Sequence, residues 1–249
     1  MGARTVLVTG GAKRLGAVIA RRLAAEGCRV VVHYHRSGEE AGRLADAIGA
    51  STVAGDLADT AAIDDLFMRG REAAGGPIDG LVNNASTFDY DTAPRLRPDL
   101  LARLYAVGHS APVLLASALA RQDEVSDGAV VNILDQKIAN LNPDFFAYTA
   151  GKLALAGATT MLAQALGPRI RVNAVAPGLT LPSGDQTDEE FRAVASENLL
   201  RRPTDPEDVA GAVAFLLGAG GLAGQTLYVD GGQRFLPRTR DVMFERARG

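Results

Sequence analysis

The sequence predicts one doubly wound α/β domain: a parallel sheet of about seven strands with helices on both faces. Two observations carry this. Short apolar, β-branched runs alternate with longer amphipathic stretches along the whole chain, and parallel strands need such crossovers. No linker, repeat or shift in composition divides the 249 residues, so a single domain over 1–249 is expected, with 234–249 as a charged tail.

The elements follow in order. Thr5–Val8 reads as a strand and Leu15–Glu26 as an amphipathic helix. Arg29–Tyr34 is β-rich, Glu39–Ile48 helical, Ser51–Ala54 a short strand and Thr60–Ala74 a helix. Ile78–Asn83 is a strand entering a loop, and Pro98–Arg121 carries one or two helices. Ala129–Leu134 is a strand, and Phe146–Leu166 a long helix rich in Ala, Gly and Leu. Ile170–Val175 is a strand, Asp188–Asn198 and Pro206–Leu217 are helices, and Gln225–Val229 is the last strand. Right-handed crossovers make this a Rossmann-type sheet. The tail is expected to be mobile or to pack on a neighbouring subunit.

Composition narrows the function. Hydrophobic residues at 47% fill a large core, and a net charge of −3 without a long basic run argues against nucleic acid as the main ligand. The stretches read as too short for a membrane span, and no signal-peptide pattern is seen, which makes a cytoplasmic protein the default. The lone Cys28 reads as a buried structural thiol. His33, His35 and His109 have no partners at metal-ligand spacing, so no metal site is expected.

The first strand ends in Thr9-Gly10-Gly11-Ala12-Lys13-Arg14-Leu15-Gly16, just before a helix. A glycine-rich turn there lets backbone N–H groups and the helix N-terminus meet a pyrophosphate. Where a dinucleotide fold that prefers NAD carries a carboxylate, the second strand ends in His33-Tyr34-His35-Arg36-Ser37. Arg36 and Ser37, with Lys13 nearby, suit a 2′-phosphate and hence NADPH. Asp56-Leu57 falls where an adenine would lie, and Asn83-Asn84-Ala85 follows the fourth strand. Tyr148 and Lys152, four apart, share a helix face. An ammonium beside the phenol is expected to favour the phenolate, giving a proton donor usable near neutral pH.

Together, the Thr-Gly loop, Asn-Asn-Ala, Tyr-x-x-x-Lys, Pro177-Gly178 and Asp230-Gly231-Gly232 resemble the short-chain dehydrogenase/reductase family from Thr5 to Gly232. The resemblance implies Tyr148 as catalytic acid, Lys152 on the nicotinamide ribose and Pro177-Gly178 beside the nicotinamide. Three positions depart from the common pattern. Arg14 replaces a glycine, Asp135 stands where serine is usual, and the helical asparagine is missing from Val107-Gly108-His109-Ser110-Ala111-Pro112.

The glycine loop, His33–Ser37, Asn84-Ala85-Ser86-Thr87-Phe88 and Asp135 resemble pteridine reductases, and the related dihydromonapterin reductases share several of these features. That resemblance implies NADPH-dependent reduction of a pterin. Catalytic residues would be Asp135, Tyr148 and Lys152. Cofactor would meet Gly10, Lys13, Arg14, Leu15, His35, Arg36, Ser37, Asp56, Leu57, Asn84, Ala85, Tyr148, Lys152, Pro177 and Gly178. Substrate would meet Arg14, Ser86, Phe88, Asp135 and Tyr148, with Phe88 stacked on the ring. Asp135 could otherwise cap a helix or pair with Lys137.

A homotetramer is implied too, with Phe146–Leu166 packed about two-fold axes through small residues such as Ala154, Ala158 and Ala165. An NADPH-dependent ketone reductase is the main alternative. A reductase-like binding protein without chemistry is the second.

Overall fold

The computed structural model describes residues 4–182 and 186–245. The sheet contains β1 (Thr5–Val8), β2 (Arg29–Tyr34), β3 (Ser51–Ala54), β4 (Gly80–Asn83), β5 (Gly128–Ile133), β6 (Ile170–Pro177) and β7 (Thr226–Val229). Their spatial order is β3-β2-β1-β4-β5-β6-β7, and every pair is parallel. The chain builds outward from β1 to β3, then returns to place β4 on the other side of β1. Crossovers leave β1 in opposite directions there, which opens a crevice at the carboxyl ends of β1 and β4.

The helices are α1 (Arg14–Ala25), α2 (Gly38–Ile48), α3 (Ile63–Ala74), α4 (Pro98–Tyr105), α5 (Ala111–Ala120), α6 (Phe146–Leu166), α7 (Asp188–Ala195), α8 (Pro206–Gly218) and α9 (Val242–Glu245). Strand alternation sorts the core into two layers. On β1, Val6 and Val8 face a cluster with Ile19, Leu23, Val209 and Val213 of α1 and α8. Leu7 faces the opposite cluster, with Leu66, Phe67, Leu115 and Leu119 of α3 and α5. Gly16, Ile19, Ala20 and Leu23 are the buried residues of α1, spaced i, i+3, i+4, i+7, so the amphipathic stripe is what docks this helix. Asp205 caps α8, and Thr187 with Glu190 forms a capping box on α7.

Pro98–Arg121, read as one or two helices, is two: α4 and α5, joined by a π-helical turn at Ala106–Ser110. Two other expectations change. By length and mean hydropathy (1.2) the run Pro98–Ala120 does reach the composition of a membrane span, contrary to the sequence reading. In the fold, α5 packs on α3, α6, β4 and β5.

The expectation for the tail also fails over its described part. Residues 234–245 pack on their own domain, with Val242 buried and Asn140 Nδ2 donating to the Leu236 carbonyl. Residues 246–249 lie outside the described residues. Cys28 is buried at the start of β2, and burial pushes its thiol pKa up.

Candidate active site

The loop after β1 is tied to the loop after β4 before any ligand is considered. Thr9 Oγ1 accepts from the backbone N–H groups of Asn84 (2.9 Å) and Ala85 (3.0 Å). The Asn84 amide donates back to the carbonyls of Thr9 (2.9 Å) and Gly10 (3.2 Å). Asn84, expected on the cofactor, therefore has its side chain engaged in bracing the loop. Gly16 completes the brace, because a Cβ there would lie 2.2 Å from the Gly10 carbonyl oxygen. Arg14 adopts φ +51°, a left-handed conformation that favours glycine, and its Nη2 donates to the Pro182 carbonyl at 2.6 Å.

A residue that the sequence reading passed over sits behind this loop. His33 of β2 is buried; its Nδ1 accepts from the Gly10 N–H at 3.1 Å, and its Nε2 lies 3.2 Å from the Gly55 carbonyl. Burial pulls its pKa down to about 4, so the ring is neutral, with the proton on Nε2. One imidazole thus links the glycine loop to the loop after β3.

A groove of about 420 Å³ runs along the sheet crevice from these loops to α6. Gly10, Lys13, Arg14 and Leu15 line it at the glycine loop, and His35, Asp56 and Leu57 at the far end. Asn84, Ala85 and Ser86 form its middle. Asp135, Tyr148, Lys152, Pro177 and Gly178 close it. Gly178 must be glycine, since a Cβ would sit 2.8 Å from Gln233 Oε1 and from Thr204 Oγ1. The Asp230 Cα would lie 2.9 Å from the same Cβ, so the Asp230-Gly231-Gly232 turn packs directly behind Pro177-Gly178.

Three predicted residues stand outside the groove lining. Arg36 is exposed at the rim. Ser37 is the N-cap residue of α2 and makes no side-chain capping bond. Phe88, expected to stack on a substrate, lays one face on Phe145, with centroids 4.0 Å apart and 18° between planes. Its ring also meets Tyr148 edge-on at 4.9 Å. Lys13, expected beside Arg36 and Ser37, pairs with Glu40 at 2.7 Å. That exposed pair is weak enough for an anion to displace.

The chemistry gathers at Tyr148. Its hydroxyl donates to Asp135 Oδ2 at 2.8 Å, while Oδ1 accepts from the Lys137 backbone N–H at 2.8 Å. Asp135 therefore caps a short turn and holds the phenol at once. Lys152 Nζ donates to the Ile133 carbonyl at 2.6 Å and lies 5.7 Å from the Tyr148 ring centroid.

Electrostatics correct the expectation that Lys152 favours the phenolate. Burial raises the Tyr148 pKa well above the usual phenol value, and the Asp135 charge and hydrogen bond raise it further. Burial also raises Asp135, opposed by hydrogen bonds from the Lys137 N–H and Tyr148 and by the charges of Lys152 and Lys137. Burial lowers Lys152 to about 8. The pair is thus built to keep a proton, and the ammonium faces the groove as a cation.

The missing helical asparagine falls at the π-turn, where Val107 lines the groove and His109 Nδ1 is buried without a partner. Among the described residues no group of three or more His, Cys, Asp or Glu could hold a metal.

Comparison with known proteins agrees with this architecture. A family model described as enoyl-(acyl carrier protein) reductase, of the adh_short_C2 type, matches residues 10–234. A crystal structure of FolM alternative dihydrofolate reductase 1 from Brucella suis in complex with NADP is 41% identical, with a TM-score of 0.91, covering 97% of this chain and 99% of that one. Pteridine reductase 1 of Leishmania tarentolae is 33% identical over 92% of this chain and 96% of its own length. L-2,3-butanediol dehydrogenase of Corynebacterium glutamicum is 31% identical over 93% and 99%. With its parallel sheet, braced glycine loop and Tyr148–Lys152 helix, the chain belongs to the short-chain dehydrogenase/reductase family of NAD(P)-dependent oxidoreductases.

Proposed function

We propose that the protein is an NADPH-dependent reductase of a pterin ring. The observation that carries this is the 2.8 Å hydrogen bond between Tyr148 and Asp135. A ketone reductase gains from a neutral donor facing the substrate oxygen, and a carboxylate there would repel a developing alkoxide. Reduction of C=N places a hydride on carbon and a proton on nitrogen, and a buried carboxyl whose pKa burial raises, hydrogen-bonded to a phenol, suits that second demand. The Brucella and Leishmania relatives named above support the same substrate class.

The groove fits the cofactor. Lys13 and Arg14 supply cations along it, and Thr87 Oγ1 is a buried hydroxyl in it without a partner. Arg36, Ser37 and the N-terminus of α2 suit a 2′-phosphate. When bound, NADPH supplies the hydride. Tyr148 then gives its hydroxyl proton to the ring nitrogen next to the reduced carbon, and Asp135 replaces it, so each turnover takes up one proton. Lys152, through its charge, holds the ribose end. Phe88 offers the face that Phe145 leaves free. The test is a crystal soaked with NADPH and a dihydropterin. A ring placed over Tyr148 with nitrogen toward its hydroxyl supports the reading, and a ring bound elsewhere refutes it.

We also propose a cytoplasmic homotetramer. Phe146, Leu153 and Met161 leave an exposed apolar stripe along α6, and Leu101 and Tyr105 of neighbouring α4 extend it.

A further inference from the structure

The C-terminal segment reaches the back of the proton-donor pair. Asp144, buried at the turn before α6, accepts from Arg240 Nε (2.7 Å) and Nη2 (3.0 Å), from the Asp241 backbone N–H (2.8 Å) and from the Tyr90 hydroxyl (3.2 Å). This anchor fixes Asp241. Its Oδ2 then meets Lys137 Nζ at 2.9 Å, an ion pair with side chains only 5% and 14% exposed. Lys137 is the residue whose backbone N–H holds Asp135 Oδ1. Its ammonium also lies 5.3 Å from the centroid of Phe145, the ring on which Phe88 stacks. Asp135, Lys137 and Asp241 together line a small cavity of about 60 Å³.

We propose that Asp241 is a positioning residue of the reaction: from the C-terminal segment it anchors and neutralises Lys137, and the pair holds Asp135 against Tyr148. This rests on the reading of Asp135 and Tyr148 as the proton donors. A buried ammonium with no counter-ion would be costly, and Asp241 supplies that counter-ion to Lys137 at 2.9 Å. The charged and titratable groups around Asp135 are Tyr148 and Lys152 from α6, Lys137 from the turn after β5, Asp241 on Lys137, Arg14 along the groove, and Arg238, which lines the small cavity and pairs with Glu197. Arg240 is already paired with Asp144. The net charge next to Asp135 therefore depends on whether this pair is complete. Loss of Asp241 leaves a cation that favours the Asp135 carboxylate. Loss of Lys137 leaves an anion that favours the protonated acid.

The two single variants consequently act with opposite sign, which a merely structural role would not produce. The Asp135 carboxyl is followed by carbon-13 NMR through a pH titration of the cofactor-free protein, its resonance assigned with Asp135→Asn. Asp241→Asn is expected to move the titration down by about one pH unit, and Lys137→Gln to move it up by about as much. The double variant should return near the wild-type midpoint. The alkaline limb of the pH–rate profile should follow in the same directions. Equal shifts of one sign, or no shift in either single variant, overturn the proposal even if melting temperatures fall. If Asp241→Asn does not fold, an unmoved midpoint in Lys137→Gln alone is enough to overturn it. Tyr148→Phe serves as the separate control: if it keeps turnover, the proton-donor reading fails, whatever the Asp135 titration shows.

Discussion

The Tyr148 hydroxyl donates to Asp135 Oδ2 at 2.8 Å, and burial raises the pKa of both groups. Lys152, one helical turn along, bonds the Ile133 carbonyl and lies 5.7 Å from the Tyr148 ring centroid. The proposed proton donor and the proposed cofactor contact thus sit as neighbours on one helix face.

Tyr148→Phe should reduce turnover by about 10²–10⁴-fold, the range for loss of a general acid, with NADPH affinity nearly unchanged. Lys152→Ala should weaken both turnover and NADPH binding. Steady-state kinetics with fluorescence titration of NADPH separate the two. Near-normal kcat in Tyr148→Phe would show that the proton comes from elsewhere.

Cofactor choice should rest on Arg36. Arg36→Asp is expected to lower kcat/KM for NADPH by at least about tenfold, one charge-assisted contact's worth, and to leave NADH nearly untouched. Equal losses with both cofactors would remove Arg36 from the 2′-phosphate site.

His33 should act on the cofactor without touching it. His33→Leu removes two hydrogen bonds that tie the glycine loop to the loop after β3, and should raise the KM for NADPH about tenfold with kcat retained. Its pH dependence has a definite sign. The folded pKa, about 4, lies below the ordinary 6.5, so the unfolded chain binds the extra proton first. The stabilising contribution is complete above about 6.5 and is lost as pH falls through about 4, an effect on the order of 3 kcal/mol. Melting temperature from pH 7 to 4 should therefore fall less steeply in His33→Leu than in the wild type. Parallel curves would contradict the neutral-histidine assignment.

Assembly is tested on α6. The wild type should sediment as a tetramer at micromolar concentration, and Met161→Arg, on an exposed site, should produce smaller species with secondary structure intact. A monomeric wild type would refute the tetramer.

The fold was legible because its signals are local. Val6, Leu7 and Val8 announce a strand buried on both faces, and Ile19, Ala20 and Leu23 announce a docked helix. The groove residues near glycine turns were legible for the same reason. What stayed hidden depends on distant partners. Nothing near Phe88 in sequence signals Phe145, 57 positions on, as its stacking partner. Lys13 looked free because Glu40 belongs to another helix. His33 looked like one of three unpartnered histidines until Gly10 and Gly55 closed on it. The tail looked loose because Arg240 and Asp241 find Asp144 and Lys137 only in the folded chain. The lysine's effect on Tyr148 was misjudged for a related reason: helical spacing puts two residues on one face but does not set the distance between their functional atoms.

The most direct measurement is turnover by the purified protein of NADPH with dihydrobiopterin or dihydromonapterin, beside a panel of simple ketones, in wild type and Asp135→Ser. The pterin reading predicts NADPH oxidation with a pterin in the wild type. It predicts a marked loss in Asp135→Ser with little change in NADPH affinity. Turnover of ketones with neither pterin consumed would contradict it and leave a carbonyl reductase in its place.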